Sequence, residues 1–219
     1  MVLQAPLKAA NCTLRAVQYP KVRFLLSVAG VEQFPEDSGR EVAFAGRSNS
    51  GKSSAINAIL VRNGLARTSK TPGRTKLLNF FEIEPGRRII DLPGYGYAAA
   101  PPDERAQWTT LIEALPLRDS VAGLFVIVDI RRGVSDSDAH LFHWAVSAGW
   151  QLHVLLAKSD KLNQRERATA LKDAEALLGP GMTAQIFSAH DKTGVAAAQK
   201  RLNQMLQKES PGVLPPGPD

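Results

Sequence analysis

The sequence has very little cysteine and no long apolar run. Cys12 is the only thiol among 219 residues, so no disulfide can form within the chain, which fits a reducing compartment such as the cytoplasm. The longest apolar stretch, Val121 to Val128, is far shorter than the roughly 20 residues of a membrane-spanning helix. The segment from Met1 to Lys21 lacks the apolar core of a secretory signal. We therefore expect a cytoplasmic protein with no membrane partner, and we exclude a disulfide scaffold.

The overall composition is that of a globular protein with a modest basic excess. Hydrophobic residues make up 44% and charged residues 22% of the chain, which is close to the globular average and excludes a mostly disordered protein. A chain of this length can bury a full core without a structural metal. The net charge of +6 indicates an anionic partner, but an excess of this size is common and the indication is weak.

Predicted strands and helices alternate from Glu41 onward. We predict strands at 41–45, 77–83, 88–91, 121–129, 151–157 and 184–188, helices at 52–61, 103–115, 136–148, 164–178 and 195–208, and a strand or docking segment at 22–28. Pro85 and Gly86 occupy the positions typical of a type II turn, so the strands at 77–83 and 88–91 should form a hairpin at one side of the sheet. The alternation predicts an α/β fold with a mostly parallel sheet, one antiparallel hairpin strand and helices on both faces.

Three regions follow from this pattern. Residues 1–20 are predicted to form an irregular arm, residues 21–208 a single domain, and the Pro/Gly-rich residues 209–219 a disordered tail.

A glycine-rich turn separates the predicted strand at 41–45 from the helix that begins at Lys52. It fits the phosphate-loop pattern G-x-x-x-x-G-K-[ST] with Gly46, Arg47, Ser48, Asn49, Ser50, Gly51, Lys52 and Ser53. The glycines let backbone N–H groups face a phosphate, and the N-terminus of the following helix faces the same anion. Lys52 would supply charge to the β- and γ-phosphates, and the Ser53 hydroxyl can bind Mg²⁺. The pattern does not choose between ATP and GTP.

A second pattern, D-x-x-G, follows the predicted strand at 88–91. Asp91 can hold the shell of a Mg²⁺ ion through a water molecule, and the N–H of Gly94 can meet a γ-phosphate. A threonine in the polar loop before the hairpin could add a ligand to the metal only when the γ-phosphate is present, which would make a switch. Thr68, Thr71 and Thr75 compete for this role, and we favour Thr75 because the strand after it anchors it best.

A third pattern, K-x-D, follows the predicted strand at 151–157. The Asp160 carboxylate can accept hydrogen bonds from N1–H and the N2 amine of guanine, whereas adenine offers an acceptor at N1 and no N2 amine. The Lys158 stem can lie along the base, and the N–H of Ala189 could reach guanine O6. A K-x-D turn is common in any chain, so the pattern alone is weak evidence for a base-binding site. Its position, one β-α unit before the end of the fold, favours that role.

Together these segments resemble translation-factor-type GTPases and, more narrowly, the EngB/YihA (YsxC) family of bacterial ribosome-assembly GTPases, of the TrmE–Era–EngA–EngB type. The resemblance covers about residues 20–208 and is carried by GREVAFAGRSNSGKSS, TPGRT, DLPGYGYA, AKSDK and FSA. It implies a Ras-like fold, GTP and GDP as ligands, Mg²⁺ as cofactor, and a role in maturation of the large ribosomal subunit that is needed for normal cell division and septation. It also implies a weak GTPase that is a monomer and has no DNA partner.

The resemblance assigns site residues motif by motif. Metal ligands fall on Ser53 and Thr75. Beyond the phosphate loop, nucleotide contacts fall on Gly73, Arg74, Thr75, Lys76, Leu77, Asp91, Leu92, Pro93, Gly94, Ala157, Lys158, Ser159, Asp160, Phe187, Ser188 and Ala189.

Two departures from related GTPases bear on binding and catalysis. Ala157 replaces the polar residue that usually opens the base-reading motif, which removes a hydrogen bond with a net effect of about 1 kcal/mol. Tyr95 follows Gly94 where Ras-like enzymes have a water-positioning glutamine, so hydrolysis should be slow without a partner. In related GTPases without that glutamine, an asparagine at the place of Asn49 helps to hold K⁺; alternatively, Asn49 only stabilises the loop by hydrogen-bonding its own backbone. Lys52, Asn49 and Gly94 are thus the transition-state candidates, and the catalytic residue stays unassigned.

Other functions remain open on the sequence. Basic residues of the switch loop and of the segment after the strand at 121–129 could contact ribosomal RNA or could simply be solvated. They are Arg62, Arg67, Lys70, Arg74, Lys76, Arg131 and Arg132. A GTP-binding RNA or ribosome scaffold with negligible turnover is one alternative. A metabolic P-loop kinase is another, which the missing substrate domain and the Asp91 and Asp160 motifs disfavour.

Overall fold

The computed structural model describes residues 19–66, 77–95 and 109–207. Seven strands lie in one sheet: β1 Arg23–Val28, β2 Arg40–Gly46, β3 Leu78–Glu84, β4 Arg87–Asp91, β5 Val121–Asp129, β6 Gln151–Ala157 and β7 Thr183–Ile186. The described helices are α1 Lys52–Ile59, a helical segment α2 at 109–114, α3 Asp136–Ser147, α4 Gln164–Glu175 and α5 Val195–Leu206.

The strands follow the order β1-β3-β4-β2-β5-β6-β7. β3 runs antiparallel to both of its neighbours, and the pairings among β4, β2, β5, β6 and β7 are parallel. This confirms an α/β fold with a mostly parallel sheet and one antiparallel strand. The β3–β4 hairpin lies toward one side of the sheet, as predicted, and β1 pairs with β3 on its outer side. Parallel strands place their carboxyl ends at one edge, where phosphate-binding loops of α/β proteins lie.

Alternating side chains build a core on each face of the sheet. In β2, Val42 and Phe44 face the core formed with α1 and α5, whereas Ala43 and Ala45 face the core formed with α2, α3 and α4. β5 is buried along its whole length, as expected for a strand covered on both faces.

Most predicted elements are present, with shifted ends. The strands at 121–129 and 151–157 have the predicted bounds. α1 ends at Ile59 rather than residue 61, because Val61 adopts a positive φ of 53° that no α-helix accepts. α4 ends at Glu175 rather than 178, and β7 covers Thr183–Ile186 rather than 184–188. The predicted arm at 1–20 and tail at 209–219 lie almost wholly outside the described residues, as does the start of the helix predicted at 103–115.

A buried ion cluster holds the end of the sheet opposite the carboxyl ends of the parallel strands. Glu41 is fully buried, and its two carboxylate oxygens each accept a hydrogen bond of 2.9 Å from the Arg118 guanidinium. Arg88 Nε lies 2.8 Å from the same carboxylate. Arg118 also donates to the Pro35 carbonyl and stacks over the Phe34 ring at 5.3 Å. The cluster therefore fixes the turn before β2 to the rest of the sheet.

No helix in the described ranges is long and apolar enough to span a bilayer.

Candidate nucleotide-binding site

The predicted phosphate loop joins β2 to α1 at the carboxyl edge of the sheet. Gly51 at the helix start has φ of 104° and Asn49 has φ of 64°, so the backbone passes twice through the left-handed region. A Cβ on Gly46 would lie 2.6 Å from Ser50 Oγ and 2.8 Å from the Ile127 carbonyl oxygen, so only glycine fits. This is the curled backbone that a phosphate-binding turn requires.

Lys52 and Asp91 meet beside this loop. The first residue of α1 and the last residue of β4 form an ion pair, and their side chains are only 11% and 7% exposed. Asp91 reaches this place because β4 runs parallel to β2, with Asp91 opposite Phe44. A phosphate bound on the loop would compete with Asp91 for the Lys52 ammonium group. Asp91 therefore keeps the largely buried ammonium group paired next to the loop.

The D-x-x-G segment lies directly on the phosphate loop. The Ser48 N–H donates to the Tyr95 carbonyl at 3.1 Å, and the Tyr95 N–H donates to the Gly46 carbonyl at 3.4 Å. A Cβ on Gly94 would lie 2.8 Å from Ser48 Oγ, so this glycine permits the close approach. The structure therefore places Gly94 next to the loop.

Tyr95 makes a side-chain contact that the sequence analysis did not predict. Its hydroxyl donates to Asp138 Oδ1 near the start of α3. Burial, and then the neighbouring Asp138 carboxylate, raise the pKa of the Tyr95 hydroxyl well above its usual range. The phenol is thus a protonated donor at any physiological pH.

Lys158 ties the base-reading segment to the phosphate loop. Its Nζ donates to the Asn49 carbonyl at 2.6 Å and to Asp129 Oδ2 at 2.9 Å. Asp129, at the end of β5, also accepts two hydrogen bonds from the Arg131 guanidinium. Burial opposes ionisation of Asp129, but hydrogen bonds from Arg131 and Lys158 outweigh it and hold the pKa of this carboxyl well below its usual range.

Asp160 is held in place by the segment after β7. The Ser188 hydroxyl donates to Asp160 Oδ1 at 2.8 Å, and Lys161 Nζ lies 3.1 Å from Oδ2. The Ser188 hydroxyl, followed by Lys161, holds the pKa of Asp160 below its usual range. Phe187 joins the two segments, since its N–H donates to the Leu156 carbonyl and its carbonyl accepts from the Ser159 N–H. An ionised, fixed carboxylate is what recognition of two guanine N–H groups requires.

The sequence-predicted residues therefore fall into two groups. The phosphate loop, Asp91 to Gly94, Ala157 to Asp160 and Phe187 to Ala189 meet at one edge of the sheet, with Leu77 just before β3. Gly73, Arg74, Thr75 and Lys76 lie outside the described residues, so the choice of Thr75 stays a prediction.

Sequence reasoning assigned no role to Asp129 or Asp138. Each is a buried aspartate, one ending a wholly apolar strand and one three residues after the Ser135 N-cap. A carboxylate that ends a buried strand at the carboxyl edge was the available signal for Asp129.

The donors beside the loop fit a hard divalent cation. The Ser53 hydroxyl lies in the first turn of α1, next to Lys52, and the Asp91 carboxylate contacts Lys52. Hydroxyl and carboxylate oxygens, completed by phosphate oxygens and water, are the ligands that Mg²⁺ prefers.

This fold and this loop define a P-loop nucleotide-binding protein, and comparison with known proteins defines its class. A family model described as "50S ribosome-binding GTPase" matches residues 41–158. "Probable GTP-binding protein EngB" of Histophilus somni is 44% identical over 192 residues, which are 86% of this chain and 94% of that protein. The protein of the same description from Coxiella burnetii is 42% identical over 198 residues, covering 89% and 97% of the two chains.

The chain belongs to the EngB family of GTP-binding GTPases. Solved structures agree on the fold: a probable GTP-binding protein EngB has a TM-score of 0.59 at 20% identity, covering 76% of this chain and 98% of its own. Era in complex with MgGDPNP and nucleotides of 16S ribosomal RNA has a TM-score of 0.58 at 20% identity, covering 81% of this chain and 60% of its own.

Proposed function

We propose that this GTPase is a nucleotide-state switch in assembly of the large ribosomal subunit in the cytoplasm, with Mg²⁺ as its cofactor, and that normal cell division and septation depend on it. The observation that carries guanine recognition is the Asp160 carboxylate, held by Ser188 and joined to the phosphate loop through Lys158. The partner is inferred from the relatives, whose family model is described as ribosome-binding.

The side chains of the site have separate tasks. When a nucleotide binds, Lys52 gives up its ion pair with Asp91 and neutralises charge on the β- and γ-phosphates. Backbone N–H groups of the loop and of Gly94 bind phosphate oxygens, and Asp160 selects guanine. Mg²⁺, when bound, would neutralise phosphate charge; Ser53 and Thr75 would hold it directly and Asp91 through water.

Hydrolysis is expected to be slow in the free protein. Tyr95 stands where Ras-like enzymes have their glutamine, and its hydroxyl is engaged by Asp138 rather than directed at the phosphates. We propose that a group from the ribosome, or K⁺ held by Asn49, supplies the missing charge. Asn49 is exposed at the loop, and its backbone carbonyl already accepts a hydrogen bond from Lys158.

Guanine recognition is tested with Asp160→Asn. The amide presents an N–H donor where guanine offers N–H, and xanthine carries a carbonyl in place of the N2 amine, so preference should move from GDP toward XDP. Competition binding measures the change. Asp173→Asn is the matched control, because Asp173 is exposed on α4 away from the loop. An unchanged preference for GDP in Asp160→Asn would refute the assignment.

The partner is tested by co-sedimentation with purified large and small ribosomal subunits. We expect retention on the large subunit with a non-hydrolysable GTP analogue, release with GDP, and weaker retention as salt rises. Multiple-turnover hydrolysis with and without large subunits separates a switch from a scaffold. Binding that ignores the nucleotide, with no gain in turnover, would favour the scaffold.

A further inference from the structure

Tyr95 is anchored to two different parts of the molecule. Its backbone forms a parallel bridge with Arg47 of the phosphate loop and exchanges hydrogen bonds with Ser48 and Gly46. Its hydroxyl donates to Asp138 of α3, 43 residues further along the chain. The residue after Gly94 thus joins the phosphate loop to a helix on one face of the sheet.

The acceptor of this hydrogen bond also builds the first turn of α3. Asp138 is 2% exposed, and its Oδ2 accepts from the Ser135 N–H at 2.8 Å and from the Ser135 hydroxyl at 2.6 Å. Ser135 and Asp138 form the capping box of α3. One buried carboxylate is therefore shared between the start of a helix and the residue that follows Gly94.

The first turn of α3 is separated from the phosphate loop by an open cleft. The cleft has a volume of about 30 Å³, and its lining includes Ser48, Asn49, Ser135 and Asp138. Asp138 lines the α3 side of this cleft, and the hydrogen bond from Tyr95 connects that side to the residue paired with Arg47 of the phosphate loop.

We propose that Tyr95 is a positioning residue that couples the γ-phosphate contact of Gly94 to the first turn of α3. This inference rests on the proposed function, in which the Gly94 N–H binds the γ-phosphate. Gly94 packs closely against Ser48, since an added Cβ would lie 2.8 Å from Ser48 Oγ, and it is joined directly to Tyr95. Movement of Gly94 therefore displaces Tyr95, and either carries Asp138 with it or breaks the hydrogen bond. In both cases the capping box of α3 differs between the GDP and GTP states.

Hydrogen exchange of the α3 amides reports this coupling. The N–H groups of Asp138 and Ala139 donate to the Ser135 carbonyl at 2.9 and 3.0 Å, so their exchange follows the integrity of the first turn. The full chain is compared with GDP and with a non-hydrolysable GTP analogue, after titration shows that both bind. In the wild type we expect the exchange rates of these amides to differ about tenfold between the two nucleotides. This is the effect expected when a hydrogen bond to a charged group is made in one state and lost in the other.

Two variants remove the coupling and two leave it. Tyr95→Phe and Asp138→Ala should abolish the nucleotide-dependent difference and shift the ratio of GDP to GTP-analogue affinity, while each still binds GDP. Ser135→Ala weakens the cap without touching the Tyr95 hydrogen bond and should keep the difference. Tyr19→Phe, which deletes another buried tyrosine hydroxyl bonded to Asn203, should behave as the wild type.

The outcomes separate this coupling from the proposed function. A wild type that binds both nucleotides with equal exchange in the first turn of α3 would overturn the coupling and leave the switch intact. A nucleotide-dependent difference that survives in Tyr95→Phe would also overturn it, and Asp138→Ala gives the same decision if Tyr95→Phe does not fold. A wild type that fails to bind the GTP analogue would overturn both.

Discussion

The Lys158 side chain gives a quantitative test of how the base-reading segment supports the phosphate loop. Its ammonium group is bonded to the Asn49 carbonyl and to Asp129, and the two side chains of the ion pair are 31% and 5% exposed. A hydrogen bond between charged groups contributes about 1.5–3 kcal/mol when buried. Partial exposure of Lys158 reduces that to about 1 kcal/mol for the Asp129 contact.

Replacing Asp129 by asparagine keeps the shape of the side chain and removes its charge. Lys158 then keeps its bond to the loop but loses its ion pair, so affinity for GDP should fall about fivefold. Lys158→Met loses both contacts and should lower affinity by one to two orders of magnitude, on the order of 2 kcal/mol. GTP-analogue affinity should fall by the same factor in both variants, because neither contact involves the γ-phosphate.

Equilibrium binding of a fluorescent GDP measures these changes, with Arg131→Ala as the control. Arg131 shares Asp129 but is about half exposed, with 48% of its side chain accessible, so its loss should change affinity less than twofold. An Asp129→Asn protein with wild-type affinity, beside a weakened Lys158→Met, would show that Asp129 does not position the lysine.

Three further predictions concern stability and catalysis. Burial lowers the pKa of His153 to about 4 in the folded protein. As pH falls, His153 is therefore protonated in the unfolded chain before it is protonated in the folded protein, which favours unfolding. The free energy of unfolding should decrease by about 3 kcal/mol from pH 6.5 to 4, and urea titrations of His153→Gln should lack this component. Arg118→Ala leaves Glu41 buried without its bidentate partner and should cost about 3–5 kcal/mol in urea unfolding. The control for Arg118→Ala is Arg87→Ala, which breaks an exposed ion pair and should cost less than about 1 kcal/mol. Single-turnover hydrolysis should be faster in K⁺ than in Na⁺, and Asn49→Ala should remove that difference; equal rates in both salts would exclude the ion.

The sequence predicted the sheet well because its strands are long apolar runs with polar ends. β5 ends with the polar residue Asp129, and β6 ends at Ala157, directly before Lys158. Helix ends were less accurate, since the positive φ of Val61 has no sequence signal in a β-branched residue.

The parts of the site that lie within one motif were accessible to sequence reasoning, whereas contacts between motifs were not. Lys52 and Asp160 follow from local patterns. The partner of Lys158 is 29 residues away and that of Tyr95 is 43 residues away, and only the strand order brings them together.

The reach of Lys158 to the Asn49 carbonyl has a consequence for synthesis of the chain. These residues are 109 positions apart, so the phosphate loop leaves the ribosome well before the side chain that holds its backbone. The loop-closing contact is therefore formed late, after β5 and β6 have joined the sheet. A nascent chain that ends before β6 carries the complete phosphate-loop motif without this support, and we expect it to acquire nucleotide affinity only as the second half of the sheet assembles.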